Sequence, residues 1–122
     1  MALPNRLPKK AKRDTRWRSQ AHLGFVRSFH CAVPGCQGMP IEAAHVRLGS
    51  GAGMGQKPDD FRAAPLCKFH HSSQHSQGEE TFWSAYKAAS GQSVDQLLDE
   101  LCKASPKAAE IKRVKAERLV NV

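Results

Sequence analysis

The sequence predicts a small α+β domain in which a short β-hairpin is followed by helices. Three observations lead to this prediction. The chain has 122 residues, which is enough for one modest hydrophobic core. Short apolar segments lie in its first half, and helical patterns fill the second half. It also contains four cysteines and six histidines, and a small domain with a thin core often depends on a bound metal for its stability.

The composition is strongly basic. The net charge is +8 and the isoelectric point is about 9.7, values that favour a polyanionic partner, with nucleic acid first. An apolar signal segment is missing, and no stretch approaches the roughly 18 apolar residues of a membrane span. We therefore expect a cytoplasmic protein with no membrane partner and no small-molecule organic cofactor. In a reducing compartment, cysteines indicate metal binding, catalysis or burial rather than disulfides.

Residues 1–20 are predicted to form a basic, flexible arm, because lysine and arginine dominate and two prolines interrupt the segment. A tail without a partner is the alternative, but in a basic chain we favour contact with phosphates. Trp17 could anchor the arm to the core or stack on a base. The basic side chains expected to bind nucleic acid here are Lys9, Lys10, Lys12, Arg13, Arg16 and Arg18.

Three apolar segments predict strands. Residues 23–33 are rich in apolar and β-branched types, and a Pro-Gly turn ends them. Residues 41–46 predict a short strand, which leads into a loop at 48–55 that is too glycine-rich for a helix or a strand. Residues 61–66 predict a second short strand, interrupted by Pro65. These strands belong to a predicted core at residues 21–90.

Helical patterns begin after Cys67. Residues 68–76 and 79–89 predict two helices separated by Gly78, and the second has one aromatic face. Residues 91–122 predict a C-terminal helical extension. Its first helix begins with a capping box at Ser93. Its second, a charged helix at about 106–119, follows an N-cap at Ser105 and a proline.

Two short pairs of metal-ligand residues predict a structural zinc. Cys31 and Cys36 flank the Pro-Gly turn, and Cys67 is followed two residues later by the first of two adjacent histidines. Zinc prefers four sulfur or nitrogen ligands in a tetrahedron, which two such pairs supply. The fourth ligand stays open among His70, His71 and His30. Cys102 lies on a predicted helix among apolar residues and is expected to be a core cysteine.

The histidines of the predicted helix at 68–76 divide by geometry. His71 and His75 are four residues apart, so both rings leave the same helix face and can bind one ion. His70 is rotated about 100° away, which assigns it to the zinc side with Cys67. His45, at the end of a predicted strand, is a natural general base near neutral pH.

Together these residues resemble the HNH family of endonucleases, also called His-Me finger or ββα-metal nucleases. The resemblance covers roughly residues 25–86 and rests on the combined pattern of Cys31, Cys36, Ala44-His45, Asp59-Asp60-Phe61 and PLCKFHHSSQH. Within the family, AHVRLGSGAGMGQKPDD is similar to YbcO-like prophage proteins, and PLCKFHHSSQHSQGEETFW is similar to Ref-like recombination nucleases. The resemblance implies a small zinc-stabilised ββα-metal core.

The resemblance also implies roles for particular residues. His45 takes the place of the general base, and Asp60 falls near the position of the middle asparagine. His71 and His75 take the places that hold the catalytic ion. Ala44 stands where the family often has a metal ligand, so Glu42, the nearest acid, becomes a candidate orienter or ligand. The structural zinc positions fall on Cys31, Cys36, Cys67 and His70.

The implied activity is metal-dependent hydrolysis of DNA. Magnesium or manganese is the expected catalytic ion, with zinc or nickel as alternatives for a two-histidine site. Arg47, Lys57 and Arg62 are expected to position the phosphate backbone. DNA is the expected partner, a recombinase filament is a candidate partner, and a bacterial host or phage-infected cell is the expected setting. The alternative is a non-catalytic, zinc-stabilised nucleic-acid-binding module.

Overall fold

A two-stranded antiparallel sheet and the helix that follows it form the centre of the fold. The structure is a computed structural model that describes residues 2–5, 16–51 and 56–120. Strands β1 and β2 pair so that Ile41 lies opposite Cys67 and His45 lies opposite Ala63. The order along the chain is α1 Gln20–Val26, β1 Ile41–His45, a 3-10 turn Asp60–Arg62, β2 Ala63–Cys67, α2 Lys68–Gln77, α3 Glu79–Ser90, α4 Val94–Ala104 and α5 Ala108–Val120. The predicted α+β class is confirmed.

The strand predicted at residues 23–33 is wrong, because the segment begins as helix α1 and continues as turns. Ser19 caps this helix by accepting a hydrogen bond from the backbone N–H of His22. The buried residues His22, Leu23 and Val26 follow the spacing of a helix face and not the alternation of a strand. The apolar composition indicated burial correctly but not the type of element.

The other predicted elements agree more closely with the structure. Strand β2 begins at Ala63, because residues 60–62 form the 3-10 turn. Helix α2 ends at Gly78, whose φ of 88° is a left-handed value that favours glycine. Ser93 and Gln96 form the predicted capping box of α4. Pro106 lies before the last helix, which begins at Ala108.

Two hydrophobic clusters stabilise the fold. The larger lies between the sheet, α3 and α4, and includes Leu66, Trp83 and Leu98. The smaller consists of Trp17, Phe61, Cys102 and Ile111. Trp17 therefore anchors the chain to the core, one of the two roles left open for it, and Cys102 is the expected core cysteine.

Residues 16–19 are held by the core although the sequence assigned them to the arm. The backbone N–H of Trp17 donates to Asp59 at 2.6 Å, and the backbone N–H of Ser19 donates to Asp60 at 2.9 Å. The division of the chain at residues 20 and 90 stays a prediction. No helix within the described ranges has the length and apolar character needed to cross a membrane.

Candidate metal centre and histidine cavity

Four predicted ligands meet at one end of the sheet. The ligand atoms of Cys31, Cys36, Cys67 and His70 all lie within 4.8 Å of one another. Nδ1 of His70 is 3.4 Å from Sγ of Cys31, 3.4 Å from Sγ of Cys36 and 3.2 Å from Sγ of Cys67. Sγ of Cys36 is 3.9 Å from Sγ of Cys67. His70 is therefore the fourth member of the cluster, ahead of His71 and His30.

These distances fit a tetrahedral zinc. Zinc–sulfur bonds of about 2.3 Å and zinc–nitrogen bonds of about 2.0–2.1 Å place sulfurs about 3.8 Å apart and a sulfur about 3.5 Å from a nitrogen. The donor set of three thiols and one imidazole is also typical of structural zinc. The cluster can therefore hold a metal such as zinc.

The local backbone explains how the cluster is assembled. Cys67 is the last residue of β2 and the N-cap of α2, and its sulfur accepts a hydrogen bond from the backbone N–H of His70. Gly38 follows the first cysteine pair and donates its N–H to Sγ of Cys36. A Cβ at position 38 would lie 3.1 Å from Sγ of Cys67. A side chain at this position would therefore crowd the sulfurs.

The thiols of the cluster have unequal acidities. Burial raises the pKa of Cys31 to about 11. Burial also acts to raise the pKa of Cys67, but hydrogen bonds from the backbone N–H of His70 and from the neighbouring thiols lower it overall. A thiol ligand must lose its proton to bind metal, so metal binding to this cluster releases protons.

Three of the predicted catalytic residues line one cavity of about 430 Å³ on the other side of α2. His45 comes from the end of β1, and His71 and His75 come from α2. The ring centroids of His71 and His75 are 5.1 Å apart. The remaining lining residues are Arg47, Lys57, Pro58 and Glu79. Helix α2 therefore faces the cysteine cluster with His70 and the cavity with the other two histidines.

His45 is oriented by a buried carboxylate. Its Nε2 lies 2.9 Å from Oδ1 of Asp60, whose side chain is 2% exposed. Because a carboxylate only accepts hydrogen bonds, Nε2 carries the proton and Nδ1 keeps a free lone pair. Burial lowers the pKa of His45, and the hydrogen bond and charge of Asp60 only partly oppose this effect. The ring is therefore neutral at neutral pH, as a general base must be.

Asp60 itself is not among the cavity-lining residues. Its second oxygen accepts the N–H of Ser19, and Arg18 lies 3.6 Å from the first. Glu42 likewise pairs with a histidine, since its Oε1 is 3.0 Å from Nδ1 of His71. Both acids are thus placed as orienters of histidines. This pairing leaves Nε2 of His71 as the nitrogen with a lone pair for an ion.

The donors in the cavity are less converged than the cysteine cluster. Within the described residues, Cys31, Cys36, Cys67 and His70 are the group whose ligand atoms come together at metal-binding distances. His71 and His75 lie side by side and Glu42 contacts His71, but in the described ranges these donors form no group of three whose ligand atoms all lie within 4.8 Å of one another.

Sequence reasoning missed Gln74, which is fully buried on α2. Its Nε2 lies 3.4 Å from the backbone oxygen of His45, and its Oε1 accepts the indole N–H of Trp83 at 2.9 Å. Gln74 therefore ties α2 to the end of β1. The signal available in the sequence was only a glutamine between two histidines of a predicted helix, which does not indicate burial.

The predicted nucleic-acid contacts fall into three groups. Lys9, Lys10, Lys12 and Arg13 lie outside the described residues. Arg16, Arg18 and Arg62 make internal contacts, since they donate to the backbone oxygens of Gly51, Pro58 and Val46, respectively. Arg47 and Lys57 are exposed and line the histidine cavity.

Comparison with known proteins gives a family match and a distant relative. The model of a family described as "Protein of unknown function (DUF968)" matches residues 4–105. The chain is 37% identical over 71 residues to "Uncharacterized protein YdfU" of Escherichia coli (strain K12). That match covers 57% of this chain and 18% of the relative. No solved structure is significantly similar to the chain.

Proposed function

We propose that this chain, which belongs to the DUF968 family, is a metal-dependent endonuclease of the HNH class that hydrolyses DNA phosphodiester bonds. The class comes from the sequence resemblance. The observation that carries the proposal is the cavity in which His45, paired with Asp60, faces His71 and His75 beside two exposed basic side chains. A structural zinc-binding protein has no need for this second group of histidines.

The roles of the chain's own residues follow from their contacts. Nδ1 of His45 accepts a proton from an attacking water, whose oxygen bonds to phosphorus as the bond from phosphorus to the sugar oxygen breaks. The leaving sugar oxygen takes a proton from solvent, and the carboxylate of Asp60 stabilises the imidazolium that forms on His45. His71, oriented by Glu42, and His75 would hold a divalent ion through ring nitrogens. When bound, such an ion supplies neutralisation of the charge that develops on the phosphate. Arg47 and Lys57 bind the phosphate backbone at the rim of the cavity.

The same arrangement assigns the cysteine cluster to stability and not to chemistry. Its four ligands leave no open position for a substrate, which is typical of structural zinc. By holding the start of α2, the cluster fixes the helix that carries both ion-binding histidines. The proposed ββα-metal core thus consists of β1, β2 and α2.

The test is a plasmid-cleavage assay with the purified 122-residue chain, run with Mg²⁺, Mn²⁺, Zn²⁺ or Ni²⁺ and with excess EDTA. We expect nicked or linear product that depends on the added ion, and no cleavage with EDTA. The double variant His71→Ala/His75→Ala is the matched control for a contaminating nuclease. Persistent cleavage by that double variant at the parental rate would contradict the proposal.

A non-catalytic nucleic-acid-binding module is the second candidate. It is favoured by one observation, namely that the cysteine cluster is assembled while the donors in the cavity are not converged among the described residues. Under this alternative the chain still binds DNA in a salt-dependent way, through its basic side chains. It cuts no DNA with any of the four ions, either alone or beside a recombinase filament. The cleavage assay therefore separates the two functions.

A further inference from the structure

The backbone that follows His45 is held from two sides by side chains from distant parts of the sequence. Oε1 of Glu79 accepts the backbone N–H of Arg47 at 2.7 Å and that of Leu48 at 3.4 Å. Arg62 donates its Nε to the backbone oxygen of Val46 at 3.2 Å and its Nη2 to that of Leu48 at 2.5 Å. Two side chains therefore bind four polar backbone groups of residues 46–48.

Both side chains are themselves fixed. Glu79 is the first residue of α3, directly after the left-handed glycine that separates the helix from α2. The guanidinium of Arg62 also reaches Oδ1 of Asp95 on α4 at 3.3 Å, and its side chain is only 16% exposed. The backbone oxygen of Arg62 accepts the N–H of Val46 at 2.8 Å, which extends the pairing of β1 and β2 by one step.

The segment held in this way lies next to one functional group and contains another. His45 directly precedes it, and the exposed side chain of Arg47 extends from it toward the same cavity. We infer that Glu79 and Arg62 are positioning residues, which hold Arg47 for contact with the substrate phosphate and His45 for proton transfer. This inference rests on the proposed nuclease function and adds the residues that preorganise its site.

The geometry separates this role from direct chemistry. Glu79 also lines the cavity, so it could instead act as an ion ligand. One of its oxygens is already shared by two backbone N–H groups, the arrangement of an anchor for a loop. Arg62, which the sequence placed among the phosphate contacts, directs its donors to backbone oxygens and to Asp95. Misplacing a reacting group by about 1 Å can lower a rate on the order of 100-fold.

The experiment compares Glu79→Ala and Glu79→Gln with matched variants of the exposed neighbour Glu80. For each variant, kcat and KM of cleavage are measured, and the affinity for DNA is measured at several salt concentrations. The zinc content of each variant shows whether it is folded. We expect Glu79→Ala to lower kcat about 10- to 100-fold. The Gln variant should stay within about threefold of the parent, because its amide oxygen still accepts both N–H groups. Glu80→Ala should behave as the parent.

Salt dependence supplies a readout that a purely structural role would not change. If Glu79 acts through Arg47, then Glu79→Ala should reduce the log–log salt slope by up to about 0.9, as Arg47→Gln does. Adding Glu79→Ala to Arg47→Gln should reduce the slope no further. A second comparison uses Arg62→Lys and the surface control Arg113→Lys. We expect only Arg62→Lys to lower kcat, because an ammonium lacks the planar guanidinium that can bridge two backbone oxygens.

Several outcomes would overturn the inference. Parental cleavage and parental salt slope in Glu79→Ala would do so. Equal inactivity of the Ala and Gln variants, with recovery of the Ala variant in excess Mn²⁺, would identify Glu79 as an ion ligand instead. If the parent cuts nothing, the nuclease proposal fails, while the salt slopes of Glu79→Ala and Arg47→Gln still decide whether Glu79 positions Arg47.

Discussion

Asp60 and His45 are fifteen residues apart in sequence, yet Oδ1 of the acid lies 2.9 Å from Nε2 of the imidazole. The acid is buried and the histidine faces a cavity, so the pair joins a charged group in the interior to a titratable group at the site. Since burial lowers the pKa of His45 and Asp60 opposes that effect, the pair has a defined pH signature.

The first prediction concerns the pH profile of cleavage. His45 acts as a base only when neutral, so the acid limb of kcat/KM should lie below about pH 6.5, the usual pKa of histidine. Asp60→Asn removes the charge that raises the pKa of His45, so the limb should move to still lower pH while kcat falls. The control is Asp99→Asn on the surface of α4. An acid limb that moves upward in Asp60→Asn would contradict the assigned pairing.

The second prediction concerns the base itself. His45→Ala should lower cleavage about 10²- to 10⁴-fold, the usual contribution of general-base catalysis. The zinc content should stay near the parental value, because the ring is not part of the cysteine cluster. The DNA affinity should also stay near the parental value, because the proposed phosphate contacts are Arg47 and Lys57. Single-turnover cleavage and fluorescence anisotropy measure the two properties separately. Parental cleavage by this variant would show that another group acts as the base.

The third prediction concerns the structural metal. The purified chain should contain about one tightly bound zinc per molecule, and Cys36→Ser should release it and sharply lower the free energy of unfolding, because zinc binding contributes directly to folding. His70→Ala should act in the same way, whereas His75→Ala should retain the zinc. Elemental analysis and thermal unfolding provide the measurements. If the protein is well folded but contains no bound metal, the prediction of a structural zinc is wrong.

The fourth prediction concerns His22, which is fully buried. Its Nδ1 lies 2.7 Å from the hydroxyl of Ser105, and its Nε2 has no hydrogen-bond partner among the described residues. Burial lowers its pKa in the folded state. Below about pH 6.5 the unfolded chain therefore binds more protons, so stability present at higher pH is lost as the pH falls toward the folded-state pKa.

Urea unfolding at pH 7.5 and pH 5.5, in excess zinc, measures this effect. His22→Gln should reduce the loss of stability between the two pH values, and the exposed His30→Gln should leave it unchanged. Because zinc ligands also titrate, the comparison uses the difference between variants and not the absolute loss. An equal loss in parent and His22→Gln would refute this source of pH dependence.

The fifth prediction concerns the basic arm. Because Trp17 is buried in the smaller cluster, a deletion that tests the arm should stop before residue 16. Removing residues 2–15 should weaken DNA binding and reduce the salt slope by about 0.9 for each phosphate that the arm neutralises. The matched variant keeps all 122 residues and carries glutamine in place of Lys9, Lys10, Lys12 and Arg13. An unchanged slope in both variants would show that the arm does not bind phosphates.

Local periodicity was sufficient to predict α2 and the division of its histidines. A rotation of about 100° per residue separates His70 from His71 whatever the helix packs against. The same reasoning failed at α1, where Leu23, Phe25 and Val26 suit either a strand or a helix and the cap at Ser19 decides. The composition indicated an apolar segment there, but it did not show whether the buried residues follow the spacing of a helix or the alternation of a strand.

Contacts between distant residues were beyond the sequence. The roles of Asp60 and Glu42 as partners of particular histidines depend on how β1 packs against the 3-10 turn and α2. Gln74 and Glu79 act through backbone groups about 30 residues away, which no spacing rule indicates. Arg62 has the composition of a phosphate contact, and only its hydrogen bonds to backbone oxygens show an internal use.

The last helix has a practical consequence for anyone who wishes to define a minimal fragment of this protein. The family match stops at residue 105, but Ile111 belongs to the cluster around Trp17, and Arg118 makes a two-pronged ion pair with buried Asp59. A fragment cut at residue 105 would expose the indole and remove that partner of a carboxylate that is 1% exposed. Asp59 directly precedes Asp60, the acid that orients His45. Shortening the chain to its span of sequence similarity would therefore weaken the contacts that hold Asp60, and through it His45, in place.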